Sequence, residues 1–149
     1  MIEEDLTKFE RDIANCFNNA QIKAPIHLHG NNEKQLINIF KEVKPEDWVF
    51  SSWRSHYHCL LKGVPQEILK KDIVRGKSIN LMYPKYKIYT SAIVGGIIPI
   101  ALGTALALKK NNSKEKDLTK FERDIANCFN NAQIKAPIHL CIIETICYV

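Results

Sequence analysis

Residues 5–28, DLTKFERDIANCFNNAQIKAPIHL, return letter for letter at 117–140. Solenoids are built differently: their units drift in sequence and tile the chain so that each buries its neighbour's face. Two identical copies with the unrelated stretch 29–116 between them do neither. The repeat therefore reads as a recent duplication or rearrangement. On that reading the second copy displaces whatever once followed Lys116. The segment 25–110 then carries the functional information, and the residues after it are discounted as evidence for function.

A chain of 149 residues is enough for one domain and marginal for two. The formal charge is +5, but Lys34, Lys41, Lys44, Lys70, Lys71, Lys109 and Lys110 are scattered. With no block of like charge, they describe solvated faces, and no nucleic-acid partner is expected. Five cysteines (Cys16, Cys59, Cys128, Cys141, Cys147) include no CxxC pair. The start MIEEDLTKFERD is charged and helical in period, unlike a secretory leader. An odd count of that kind points to reduced thiols in the cytoplasm.

Leu6, Phe9, Ile13, Phe17 and Ala20 recur at helical steps, predicting an amphipathic helix over 3–23 that ends before Pro25. Gly30-Asn31-Asn32 predicts a turn, with Asn31 or Asn32 capping a second helix over 33–43 that faces Leu36, Ile37, Ile39, Phe40 and Val43 inward. Trp48-Val49-Phe50 is a short extended segment. Helices are expected near 56–62 and over 65–74, the latter opened by Pro65 and stopped by Gly76. Residues 77–91 show no clean period and predict a long ordered loop. Ile93 to Leu108 is apolar but for small residues and Pro99, and it is shorter than the ~20 residues a bilayer needs. It reads as a buried helix, and no membrane span is expected.

Two His-x-His pairs, His27/His29 and His56/His58, would each share a face if extended and could offer imidazoles to a metal, or they are ordinary histidines near a polar cleft. No carboxylate or cysteine stands at a familiar zinc spacing, so no metal ligand is assigned. Arg54 beside Trp53 is either a surface ion-pair partner or a fork of donors for phosphate oxygens. Ser91-Ala92-Ile93-Val94-Gly95-Gly96 places small residues at the start of a helix, where a ligand can approach the backbone. The chain contains no GxGxxG, GxxxxGK[ST] or GxSxG, which leaves dinucleotide, Walker-type and serine-hydrolase readings unsupported.

The succession IHLHGNNE (26–33), FSSWRSHYHCLLKGV (50–64), INLMYP (79–84) and SAIVGGIIPIALGTALALK (91–109) resembles the alpha subunit of thiamine-diphosphate-dependent 2-oxo acid dehydrogenases, the decarboxylating component of pyruvate and branched-chain complexes. The resemblance implies an α/β thiamine-diphosphate-binding fold, of which this chain would be a mostly helical and incomplete part. It implies thiamine diphosphate as cofactor, held with Mg²⁺ between alpha and beta subunits. It also implies a lipoyl acyltransferase as a further partner and acyl transfer to lipoamide after decarboxylation. By the same resemblance His27 lines the substrate end of the pocket, and Trp53 and Arg54 occupy the Tyr-Arg pair that grips the diphosphate. His56 stands beside that pair, Pro84 falls where a small residue lines the site, and Ala92 and Val94 meet the aminopyrimidine ring. His27 and His56 are the expected catalytic residues; Trp53, Arg54, Pro84, Ala92 and Val94 are the expected cofactor-binding residues.

The sequence departs from the family's pattern at several points. Trp53 lacks the phenol hydroxyl, and Ala92 replaces a glycine. Lys77-Ser78-Ile79-Asn80-Leu81 stands in place of Gly-Ser-Met-His. The family's Gly-Asp-Gly strand, which ligates Mg²⁺, has no counterpart, since no Gly-Asp pair occurs anywhere in the chain. Hard cations need placed oxygen ligands, and such a charge dominates a diphosphate site. The expectation is an alpha-subunit-like region over 1–110, a linker at 111–116, the copied segment 117–140 and an apolar tail at 141–149. Such a chain is expected to be inactive alone. The alternatives are a helical interaction module and a small membrane-associated protein using 93–108.

Overall fold

The computed structural model describes residues 2–112. The copied segment, the tail and most of the expected linker lie outside the described residues. Asn111 and Asn112, expected to open the linker, instead close the last helix.

Helix α1 (Glu3–Asn18) presents Leu6, Phe9, Glu10, Ile13 and Cys16 inward. Asp5 accepts a hydrogen bond from the Ile2 backbone N–H at 2.9 Å, tying the first turn. The helix stops short of residue 23. The Gln21 N–H reaches back to the Cys16 carbonyl and the Ala20 N–H to that of Phe17. With Ala20 at φ 57°, this is a left-handed Schellman closure. Phe17, expected on the buried stripe, is therefore exposed, and Cys16 takes its place.

Helix α2 (Glu33–Phe40) begins at Asn32 as expected, although the Asn32 side chain makes no capping hydrogen bond. It buries Leu36 and leaves Ile39 exposed. Strand β1 (Val49–Ser51) is followed by α3 (His56–Leu61), whose first five residues are all buried. Gly63, at φ +86°, closes α3 by the same motif, with Val64 N–H on the Cys59 carbonyl and Gly63 N–H on that of Leu60. Helix α4 (Gln66–Asp72) runs into a π turn (Ile73–Lys77) in which Gly76 is left-handed and faces the Ala24 Cβ.

The expected loop over 77–91 is partly sheet. It contains β2 (Met82–Tyr83), a 3-10 turn (Pro84–Tyr86) and β3 (Ile88–Thr90). The sheet order is β1-β3-β2, with β1 and β3 parallel and β2 and β3 antiparallel. Thr90 Oγ1 accepts from the Leu81 N–H at 2.7 Å and donates to the Leu81 carbonyl at 2.9 Å, which pins β3 where pairing runs out. The observed architecture is a small mixed sheet with helices packed on it, a partial α/β arrangement.

One core cluster joins α1, α2, α3, α4 and the sheet through Leu6, Phe9, Ile13, Leu36, Leu60, Leu69 and Ile88 among others. A second, smaller cluster holds Phe50, Ile97 and Ala101. Helix α5 (Ile97–Asn112) belongs to the second cluster and is not the buried helix the sequence predicts. Ile93 and Val94 are 68% and 67% exposed, and Ile98, Ile100 and Leu102 are also exposed. The reason is supply: α5 packs chiefly on β1, and the described residues leave these side chains open. Among the described residues no helix is long and apolar enough to cross a membrane. Contiguous exposed apolar surface drives association. Size-exclusion chromatography of the chain is expected to show self-association that Ile93→Ser/Val94→Ser/Ile98→Ser weakens. A clean monomer before substitution would contradict this.

Candidate functional site

Because β1 and β3 run parallel in the register Ser51↔Thr90, their carboxyl ends lie side by side. The Ser91 N–H extends the ladder by donating to the Ser51 carbonyl at 3.1 Å. In open α/β sheets the crevice outside the carboxyl ends of parallel strands is where ligands bind. Residues 52–55 leave that edge from β1, and residues 91–96 leave it from β3. Four of the expected cofactor residues, Trp53, Arg54, Ala92 and Val94, are thereby brought to one edge.

A third segment joins them. The His27 ring lies 5.6 Å from that of Trp53, both half-buried. His29 is buried, and its Nε2–H donates to the Arg54 carbonyl at 2.7 Å. That bond fixes the His29 tautomer and holds the backbone of Arg54, leaving the guanidinium exposed. Among the described residues Arg54 forms no ion pair, and it is exposed where the chain leaves β1. His29 in turn stacks on Tyr57 with ring centroids 4.5 Å apart.

Tyr57 donates to Glu33 Oε1 at 2.9 Å. Burial first, and then the bond to Glu33, push the phenol well above its ordinary range, so it remains a donor. Burial alone would raise Glu33. The hydrogen bonds from its own backbone, Tyr57 and the Asn31 backbone, with His29 nearby, outweigh that and hold the carboxyl below its ordinary value.

On the other side of the edge, Ser91 Oγ accepts from the Ile93 N–H at 3.1 Å, and Gly95 at φ +77° turns the chain into α5. Ala92 is half-buried and Val94 exposed. Pro84 is elsewhere. Strand β2 runs antiparallel to β3 with Tyr83 opposite Ile88, so Pro84 sits beyond the amino end of β3, away from Ala92.

His56, expected beside the cofactor, is fully buried. Its Nδ1 lies 2.8 Å from Glu10 Oε1 and its Nε2 2.8 Å from Ser78 Oγ. Neither His-x-His pair is extended on a strand: His56 and His58 lie in the first turn of α3, and the His56 ring nitrogens are already engaged. Among the described residues no three His, Cys, Asp or Glu side chains gather as a metal site. Sequence reasoning missed Glu10 and Ser78. Glu10 carried a signal: it stands four residues after Leu6 and three before Ile13, a carboxylate on the apolar stripe. Such a group must find a buried partner.

The donor set fits one part of the implied cofactor. Arg54 suits an anionic diphosphate, and the Trp53 ring and the small residues at 91–96 suit a flat ring near the backbone. The same edge offers no carboxylate cage for Mg²⁺ among the described residues.

The profile of the dehydrogenase E1 component family matches residues 3–121. The mitochondrial pyruvate dehydrogenase E1 component subunit alpha of Sminthopsis macroura is 30% identical over 114 residues, covering 71% of this chain and 31% of that protein. The alpha subunit of the acetoin:2,6-dichlorophenolindophenol oxidoreductase of Cupriavidus necator is 26% identical over 121 residues, covering 74% and 36%. The chloroplastic pyruvate dehydrogenase E1 component subunit alpha-3 of Oryza sativa is 24% identical over 131 residues, covering 81% and 31%. The chain thus spans about a third of the length of these relatives. No solved structure matches it. A match over most of the chain, on the segments that build the strand-end edge, places this protein in the dehydrogenase E1 component family, as a 2-oxo acid dehydrogenase alpha-subunit fragment.

Proposed function

We propose that this chain supplies the arginine side of a thiamine-diphosphate site in a 2-oxo acid dehydrogenase of the oxidoreductase class. Arg54, exposed and without an ion-pair partner among the described residues at the shared strand edge, is the observation that carries this reading. Arg54 would hold the diphosphate, Trp53 would flank it, and Ala92 and Val94 would meet the ring. His27 would face the substrate, and Pro84 has a role only if a further segment brings the ligand to its end of the sheet. His56 acts as a positioning residue, since it reaches no solvent. The chemistry such a cofactor supplies is attack on a 2-oxo acid and retention of the electron pair as CO₂ departs.

A beta subunit and a lipoyl acyltransferase are the partners this function requires, with acyl transfer to lipoamide completed by the latter. The buried free thiols of Cys16 and Cys59 suit a reducing compartment, which we take to be the cytoplasm.

Calorimetric titration of thiamine diphosphate tests the site. Binding to the chain alone is expected to be weak and insensitive to Mg²⁺, because among the described residues no carboxylate cage serves the metal. Arg54→Ala is expected to remove most of the affinity, at least tenfold, by analogy with charged hydrogen bonds worth ~1.5–3 kcal/mol. An unchanged titration in Arg54→Ala would remove the site from this edge. Tight uptake that requires Mg²⁺ would show that the metal ligands exist after all.

A further inference from the structure

Among the described residues the fold seats one helix of the α1 sequence, and the chain carries that sequence twice. We propose that the groove holding α1 is also a docking site for residues 117–128 of a second copy of this chain. Every side chain that α1 buries has an identical counterpart in the repeat: Leu118, Phe121, Glu122, Ile125 and Cys128 stand for Leu6, Phe9, Glu10, Ile13 and Cys16.

The seat reads more than hydrophobicity. His56 Nδ1 takes a carboxylate at 2.8 Å, and Lys70 Nζ pairs with Asp12 at its rim. Only a helix in the same register puts a carboxylate on each, and Glu122 and Asp124 preserve both. An arbitrary amphipathic helix would leave His56 facing an apolar side chain.

The occupant comes from another molecule because of where its connection starts. Helix α5 is anchored through Ile97 and Ala101 in the cluster with Phe50, apart from the cluster that contains α1. From Ala101 the helix runs on to Asn112, carrying the chain ~16 Å further along its axis. Only residues 113–116 then precede the copy. Short connections of this kind favour exchange of identical elements between molecules. The native α1 retains an advantage. Glu3 and Glu4 lie in its first turn, whereas Glu115 and Lys116 hold those places in the copy. A lysine at the positive end of the helix dipole weakens the copy by roughly 2- to 5-fold.

The test uses full-length chains and thermal unfolding. Ile13→Asp spoils α1, Ile125→Asp spoils the copy, and the double variant spoils both. Ile125→Asp is expected to keep the parent midpoint. Ile13→Asp is expected to fold as a dimer whose midpoint rises with each tenfold increase in protein concentration. The double variant is expected to show no cooperative transition. Association through α5 is common to all three, so Ile125→Asp is its control. The proposal fails if Ile13→Asp is as unfolded as the double variant, since the copy then leaves the seat empty. It fails if the double variant still folds, since the seat then needs no helix. It fails if the Ile13→Asp midpoint is independent of concentration, since the occupant is then not a second molecule. The gentler set Ile13→Ala, Ile125→Ala and their combination must show the same non-additivity in urea.

Discussion

Replacing His56 with alanine is expected to destabilise the chain by about 2–5 kcal/mol, because it leaves a buried carboxyl and a buried hydroxyl without their partner at about 1–3 kcal/mol each. His56 is fully buried and Glu10 is 5% exposed. The deletion leaves the Glu10 side chain facing a void, and its Oε2 already has no hydrogen-bond partner. Ser78 Oγ loses its acceptor or donor at the same time. The loss reaches beyond α3, because the three residues tie α1, α3 and the turn after Gly76 together. Urea unfolding checks the magnitude. The paired change Glu10→Leu/His56→Leu is expected to recover part of the loss, because replacing both partners by apolar groups leaves neither side of that hydrogen bond unpaired. If His56→Ala stays within ~1 kcal/mol of the parent, the buried network does not contribute as the geometry requires.

This network also shows where sequence reading succeeds and where it runs out. The stripe of α1 was legible because helical period is a local property, and Leu6, Phe9 and Ile13 fall where it puts them. Phe17 was misplaced because a Schellman closure depends on a left-handed Ala20, which alanine does not advertise. Strands β2 and β3 were invisible because two- and three-residue strands are too short to show alternation. Their existence depends on pairing with each other and with β1. The α5 segment was recognisable as an apolar helix, but burial is a property of what covers it, and sequence period says nothing about a missing neighbour. At the candidate site, the residues beside Arg54 and those at 91–96 could be paired only through the family resemblance. Parallel pairing of β1 with β3 brings them together physically. His56 drew attention as a histidine near the site, while its real surroundings depend on Glu10, 46 residues away.

Tyr57→Ala is expected to cost about 3–5 kcal/mol, as for other large aromatic truncations in cores. Tyr57 is 1% exposed, and its removal strips a packed ring from between α3 and the 27–29 segment. Because His29 rests on that ring and holds the Arg54 carbonyl, the same variant is expected to lose thiamine-diphosphate binding along with stability. Tyr57→Phe separates the two effects. It keeps the ring and the stack on His29 but deletes the hydrogen bond to Glu33, so the expected loss is about 1 kcal/mol with the Arg54 edge intact. The pH dependence carries the sign. Glu33 is held below its ordinary value of 4.5, so the folded state binds this proton less readily than the unfolded chain. Its contribution is full above the unfolded value and is lost as pH falls through the lower, folded value. Deleting the Tyr57 hydroxyl moves the folded value back toward the ordinary one. The stability gap between parent and Tyr57→Phe is therefore expected to be constant near neutrality and to narrow in acid. A gap that widens on acidification would mean that the phenol stabilises the protonated carboxyl instead.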